Sequence, residues 1–223
     1  MQNFTWDGVV AFDINTQKEI WKKEMKRPLA PIIDGNSLYV VGNGSRLHAI
    51  NLLNGDTNWV FESRGFLQGI SASPIITNDA IYFTGMGSGS MSVYALDKNS
   101  GNLKWKADVM KSTSGISGTD NLTVIGNFLV WRSHIGVGRS TYIGAIDLYT
   151  GDFTLSGSGD EIKSMVSDGK ELYVAYNQKI LKFIIEEGKL KQAREQIGDI
   201  FPLQGSDITD LLLTNNILFV ARE

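Results

Sequence analysis

The stretch Ala95-Leu96-Asp97-Lys98-Asn99-Ser100-Gly101-Asn102-Leu103-Lys104-Trp105 decides how this chain folds. A small-apolar run ends in an acid, a tight turn follows, and the next run ends in tryptophan. The phrase recurs on both sides. Val9-Val10-Ala11-Phe12-Asp13 runs to Trp21, and Leu47-His48-Ala49-Ile50-Asn51 runs to Trp59. Ile143-Gly144-Ala145-Ile146-Asp147 runs to Leu155, and the weakest copy, Ile180-Leu181-Lys182-Phe183-Ile184, runs to Gln192. Marked at Gln17, Gly55, Gly101, Gly151 and Gly188, the turns stand 38, 46, 50 and 37 residues apart. Repetition at such a period means stacked copies of one supersecondary unit.

Each period holds four short apolar runs separated by Gly/Asn/Asp turns, the signature of an antiparallel meander. In the second unit the strands are predicted at 31–33, 38–41, 46–50 and 56–61. They fall at 72–76, 81–84, 92–96 and 103–107 in the third, and at 122–124, 128–131, 142–146 and 152–155 in the fourth. The fifth has 162–166, 172–175, 179–184 and 189–192. The two longer spacings carry extra Gly and Ser, so the added length is expected in loops. No helical period competes over more than two turns. The best helical candidate, 189–196, matches its sister units as strand plus linker.

A four-stranded sheet of this size cannot bury both faces alone, but sheets stacked radially cover one another. The expected fold is therefore all-β, a β-propeller of four-stranded antiparallel blades forming one domain over residues 1–223. Blades are expected at about 27–64, 65–111, 112–158 and 159–205. Residues 1–26 contain the second pair of strands of a blade, and 206–223 the first pair. If these share one sheet the ring closes at five blades without open edges; the competing reading is a longer propeller cut mid-blade. The three tryptophans occupy equivalent outer-strand positions and are expected to wedge between adjacent blades.

Bulk properties bound the function. Of the 223 residues, 42% are hydrophobic and 20% charged, ordinary for a globular protein. A net charge of −3 makes no electrostatic case for nucleic acid. The absence of cysteine excludes disulfides, thiolate metal sites and a lipidated N-terminal cysteine in this sequence. No apolar run of about 18 residues spans a bilayer. The two histidines, His48 and His134, lie at non-equivalent places, so neither a His-rich metal site nor a Ser-His-Asp triad is signalled. His48 alternates with apolar neighbours and reads as structural. The segment Arg132-Ser133-His134-Ile135-Gly136-Val137-Gly138-Arg139 reads as a long Gly-rich loop whose arginines suit an anion or a partner's acid. The candidate partner-contacting residues are Trp131, Arg132, His134, Arg139 and Tyr142, with Arg64 and Phe66 between blades.

The phrase Ala-x-Asp-x-x-Thr-Gly-x-x-x-Trp is where a family comes into view. Ala145 to Gly151 matches its turn fully, Ala95 to Gly101 has Ser100 for Thr, and Ala11 to Gln17 has Gln for Gly. The chain resembles the PQQ-like propeller repeat of quinoprotein alcohol dehydrogenases and of the outer-membrane assembly lipoprotein BamB. The resemblance implies a propeller and, on the BamB side, a non-catalytic scaffold that binds a protein or peptide in the cell envelope, periplasmic or extracellular. The dehydrogenases of the family need eight blades, a Ca²⁺ held by Glu, Asn and Asp, and a catalytic Asp. No position here carries those roles, so no cofactor, metal or catalytic residue is expected, and the chain is expected to be a monomer. The alternative is a fragment or accessory domain of a larger propeller enzyme such as a quinoprotein dehydrogenase.

Overall fold

In the computed structural model the described residues are 7–42, 46–62, 69–70, 74–87, 90–111, 116–117, 122–135, 140–158, 161–176, 179–193 and 207–223. They are all strand and turn. Among them no helix is long and apolar enough to cross a membrane.

The architecture is that of an all-β propeller with antiparallel blades. β1 (Gly8–Asp13) and β2 (Lys18–Glu24) form a two-stranded ladder. β3 (Ile32–Asp34), β4 (Ser37–Gly42), β5 (Arg46–Asn51) and β6 (Thr57–Glu62) form the first four-stranded blade, in chain order. The next blade contains β7 (Gly69–Ile70), β8 (Ile75–Ile76), β9 (Ala80–Gly87), β10 (Ser90–Asp97) and β11 (Leu103–Lys111). Its counterpart has β12 (Ile116–Ser117), β13 (Leu122–Ile125), β14 (Phe128–Ile135), β15 (Ser140–Asp147) and β16 (Phe153–Ser158). β17 (Ile162–Ser167), β18 (Glu171–Tyr176), β19 (Ile180–Glu186) and β20 (Lys189–Gln192) make a four-stranded blade, and β21 (Ile208–Thr214) pairs with β22 (Ile217–Arg222).

The added length of the third and fourth repeats does not lie only in loops. β9, β10, β14 and β15 are each eight residues long, against six in β4 and β5. The longer second strand is then met by two short inner strands, β7 and β8 on β9, β12 and β13 on β14. Residues 132–135, read from sequence as loop, continue β14, with Arg132, Ser133 and His134 opposite Ile143, Tyr142 and Thr141. Likewise β9 runs on through 85–87, past the strand predicted at 81–84. A polar run obscures a strand when both of its faces are covered by neighbours that satisfy the polar groups.

The chain divides into two compact units. One takes residues up to Ser88 with Ser92–Lys106, the other Gly89–Met91 with the chain from Ala107.

In the first unit the tryptophans join consecutive repeats. Trp21 Nε1 donates to the Leu52 carbonyl at 2.9 Å, and Trp59 Nε1 donates to the Lys98 carbonyl at 3.1 Å. Each acceptor lies in the turn between the third and fourth strands of the following blade. Each ring lies on the glycine three residues further on. Gly55 and Gly101 have φ of +77° and +72°, and a methyl on Gly55 would stand 2.8 Å from the Trp21 ring. Glycine is required there twice over, for its backbone and for its missing side chain.

A one-residue insertion aims these rings. β1–β2 shifts register between Ala11 and Phe12, and β5–β6 between Ala49 and Ile50, so Trp21 lies opposite Ala11 and Trp59 opposite Ala49. Paired residues share a face, so each bulge places its tryptophan on the face of its alanine. β15–β16 has no shift. Thr154 takes the place opposite Ala145, while Leu155 lies opposite Gly144 on the other face, 40% exposed. Around the first-unit pins the core is layered. Trp21, Met25, Leu38, Val40 and Ile50 pack together on one side of the β3–β6 blade. Tyr39, Val41, Leu47 and Ala49 pack with Ile81, Phe83, Tyr94 and Leu96 on the other.

The acid of the repeat caps its turn. Asp13, Asp97 and Asp147 each accept from two backbone N–H groups, two and three residues ahead. These bonds hold the Asp13 and Asp97 carboxyls below the usual carboxylate range.

Two outcomes follow. Trp59→Ala should lower unfolding stability by about 3–5 kcal/mol in urea titration, the scale of a large-to-small aromatic change, and Trp59→Phe by about 1 kcal/mol, the scale of one hydrogen bond. His48 is buried in β5, and burial first, then Lys23 and Arg46, push its imidazole below the ordinary 6.5. The unfolded chain therefore binds a proton that the folded chain resists. Its contribution is intact above pH 6.5 and drains away as pH falls from there through the folded value. His48→Gln should flatten the stability-versus-pH curve over that window, read by thermal unfolding.

Candidate partner-binding site

The sequence-predicted residues converge, where they are described, on the extended end of the β14–β15 hairpin in the second unit. Arg64, Phe66 and Arg139 lie outside the described residues. The rest are strand residues, and for Trp131, Arg132 and Tyr142 the side-chain direction is set by alternation.

Trp131 faces inward. It occupies a row across the blade, Leu122–Trp131–Gly144–Leu155. Its ring covers Gly144 so closely that a side chain there would overlap it. Trp131 is 0% exposed, and its Nε1–H has no acceptor among the described residues. It is a wall of the blade rather than a contact surface.

Arg132 points to the other face and is 7% exposed. One guanidinium nitrogen donates to the carbonyls of both Ile162 and Lys163 at the start of β17. Thr141 Oγ1 accepts the Ile162 N–H at 3.3 Å. The first residues of β17 are thus gripped at carbonyl and amide by β14 and β15. Further along, Gly126 N–H reaches the Gly169 carbonyl at 2.8 Å, and Ser167 Oγ donates to the Val124 carbonyl at 3.1 Å. Between these polar ties Ile125, Val130, Ile143 and Ala145 pack on Ile162, Met165, Leu172, Val174 and Phe183. This boundary is held without a tryptophan pin.

His134 pairs through its backbone with Ser117 on one side and Thr141 on the other. Tyr142 is half-buried opposite Ser133, whose hydroxyl reaches Met110 Sδ at 3.5 Å. The reading of Arg132 as an anion-meeting loop residue missed its actual bonds. It missed Thr141 as well, because a Thr in a β-branched context carries no signal of which amide it will meet.

Two more polar groupings complete the unit. Ser164 Oγ bonds Asp210 Oδ1 at 2.7 Å, joining β17 to β21. Tyr173 Oη donates to Glu171 Oε2 at 2.7 Å, and Lys182 pairs with Glu171 Oε1 at 3.0 Å. Burial and the adjacent Glu171 push the Tyr173 phenol up to about 12. Among the described residues no three His, Cys, Asp or Glu side chains gather as metal ligands would. The chemistry at hand is hydrogen bonding to backbone, which positions strands.

The family model for outer membrane protein assembly factor BamB matches residues 6–193. The chain belongs to this PQQ-like repeat family. Solved structures are similar across most of its length. The computationally designed Ika8 protein is 16% identical with a TM-score of 0.65, covering 97% of this chain and 62% of that one. Quinohemoprotein alcohol dehydrogenase ADHIIG from Pseudomonas putida HK5 is 16% identical with a TM-score of 0.61, over 84% of this chain. BamB from Moraxella catarrhalis is 15% identical with a TM-score of 0.45, covering 96% of this chain and 75% of that one. The chain spans only 39% of the dehydrogenase. No curated protein sequence matches it. At these identities the structural likenesses speak to fold; membership rests on the family match. The family includes both the non-enzymatic assembly factor and dehydrogenases.

Replacing Arg132 by Met should cost about 3 kcal/mol, because two carbonyls at the head of β17 lose a charged donor. Trp131→Phe, which keeps the ring and deletes the orphaned N–H, should stay within about 1 kcal/mol of the parent. Paired urea titrations check both.

Proposed function

We propose that this family member is a non-catalytic scaffold of the cell envelope that holds a protein or peptide partner in outer-membrane protein assembly. The observation that carries the reading is the use made of Arg132 and Thr141. The polar side chains nearest the predicted site are committed to gripping β17, as in a platform whose rigidity is its product. What such a platform offers a partner is the end of its long hairpins. The contact residues in this reading are Tyr142, His134 and Arg139 of the β14–β15 segment, and Arg64 and Phe66 between repeats. Arg132 and Trp131 support that surface from beneath. The family description, an outer membrane protein assembly factor, supports the choice of partner class.

A photo-crosslinking amino acid placed at Tyr142, and as a control at the exposed Leu53, tests this in the native cells. A discrete adduct at 142 alone, identified by mass spectrometry as an outer-membrane assembly component, is the expected result. Equal adducts at both positions would sink the binding surface. Dye-linked alcohol oxidation by the purified chain supplied with PQQ and Ca²⁺ would instead move it to the dehydrogenase side of the family.

A further inference from the structure

The turn that receives Trp21 differs from its sister turns at one position, and that position carries a chemistry the others lack. The residue before the turn glycine is Ser100, Thr150 or Glu187 in three of the repeats and Asn54 in the second. Ser100 Oγ and Thr150 Oγ1 accept the N–H groups of Asn102 and Asp152 at 3.3 and 3.1 Å. Asn54 Oδ1 accepts the Asp56 N–H at 3.0 Å, the same bond made by an amide. Its Nδ2 also donates to Asp56 Oδ2 at 2.7 Å. The job of the position is thus done elsewhere by a hydroxyl. Only here does it place an amide carbon, an electrophile, next to the unhindered backbone nitrogen of a glycine.

We propose that Asn54-Gly55 is a deamidation site gated by the Trp21 joint. The reaction is intramolecular and consumes only water. The Gly55 nitrogen loses its proton to solvent and attacks Asn54 Cγ. The Cγ–Nδ2 bond breaks, ammonia leaves with that proton's equivalent, and a cyclic imide forms. Water then adds at either imide carbonyl. One opening gives aspartate; the other gives isoaspartate, in which the main chain runs through Cβ and Cγ.

In the folded turn the reacting groups are already engaged. Gly55 N–H is held on the Asn51 carbonyl at 3.0 Å. Both polar atoms of the Asn54 side chain are held by Asp56. Gly55 cannot swing toward Asn54 Cγ, because Lys23 Nζ holds its carbonyl at 3.1 Å and the Trp21 ring lies where a methyl on Gly55 would stand, 2.8 Å from it. Imide closure therefore requires the turn to leave the indole first. A slow reaction of a transiently opened segment follows the population of its open form. The product then acts back on the joint. Isoaspartate lengthens the main chain by one carbon at a place the ring leaves no room. Either product sets a carboxylate where Asn54 donated to Asp56, so two like charges face each other. The site records openings of the joint and afterwards weakens it.

Timed incubation of the purified chain at mildly alkaline pH, read by peptide mass spectrometry that separates aspartate from isoaspartate, tests this. The folded chain should convert at Asn54 at least about tenfold more slowly than the same chain held unfolded in urea. Trp21→Phe, which keeps a ring and loses the N–H bond, should speed conversion several-fold. Asn43-Gly44, the other Asn-Gly bond of the chain, is the comparator in the same digests. Asn54→Thr, which copies the sister turn, should match the fresh parent in thermal unfolding and escape the parent's decline on storage. The isoaspartate fraction, separated by ion exchange, should melt below fresh protein. Equal conversion of folded and unfolded chain, or no response to Trp21→Phe, overturns the gate. A rise of the same size at Asn43 also overturns it, because global unfolding would then be the route. An isoaspartate fraction as stable as fresh protein overturns the effect on the joint.

Discussion

An indole laid flat on a glycine of the next repeat, with its N–H on a carbonyl of the same turn, is the contact on which the first half of this protein depends. It asks three things of the sequence at once: a turn that adopts positive φ, no side chain at that turn, and a tryptophan delivered to the correct face. The aspartate that opens the turn contributes by tying down the backbone that presents the glycine. The repeated phrase is therefore two halves of a joint, each half serving a different neighbour. Burying an aromatic of this size is worth roughly 2–3 kcal/mol from area alone, with the N–H bond and the layered cores added.

The second half is joined differently. Leu155 stands where the repeat would place tryptophan, and Gly188, in a two-residue turn with Glu187, has nothing against it among the described residues. Cohesion there comes from a broad apolar contact between blades and from side chains that bond directly to the neighbouring backbone: Arg132, Thr141 and Ser167. Spending polar groups on backbone carries a functional consequence. In the proposed scaffold role, a partner would meet a surface whose underlying strands are already fixed, so little ordering would remain to be done on binding.

The fold was legible because its period, its turns and its alternating apolar runs all agree. The predicted strands of the fifth repeat fall within a residue or two of β17 to β20. What could not be read was polar sequence inside long strands. Arg132-Ser133-His134 looks like loop by composition, and only the tertiary partners at Ile162, Met110 and Thr141 make it strand. The bulges were equally hidden. Glu19-Ile20 and Thr57-Asn58 contain no Gly or Pro to announce an inserted residue, so the facing of Trp21 and Trp59 had to come from the observed register. Of the candidate residues, the burial of Trp131 and Arg132 was not legible, because it depends on strands that the chain brings in from elsewhere.

The inserted residue makes the joint a matter of parity rather than of composition. In a strand every position belongs to one of two faces, and one extra residue moves all that follow from one class to the other. A tryptophan restored at position 155 by substitution alone would arrive on the wrong side of its sheet. Ala49 to Trp59 and Ala145 to Leu155 span the same number of residues, so the joint is set by whether the fourth strand bulges against the third and not by the length of the repeat.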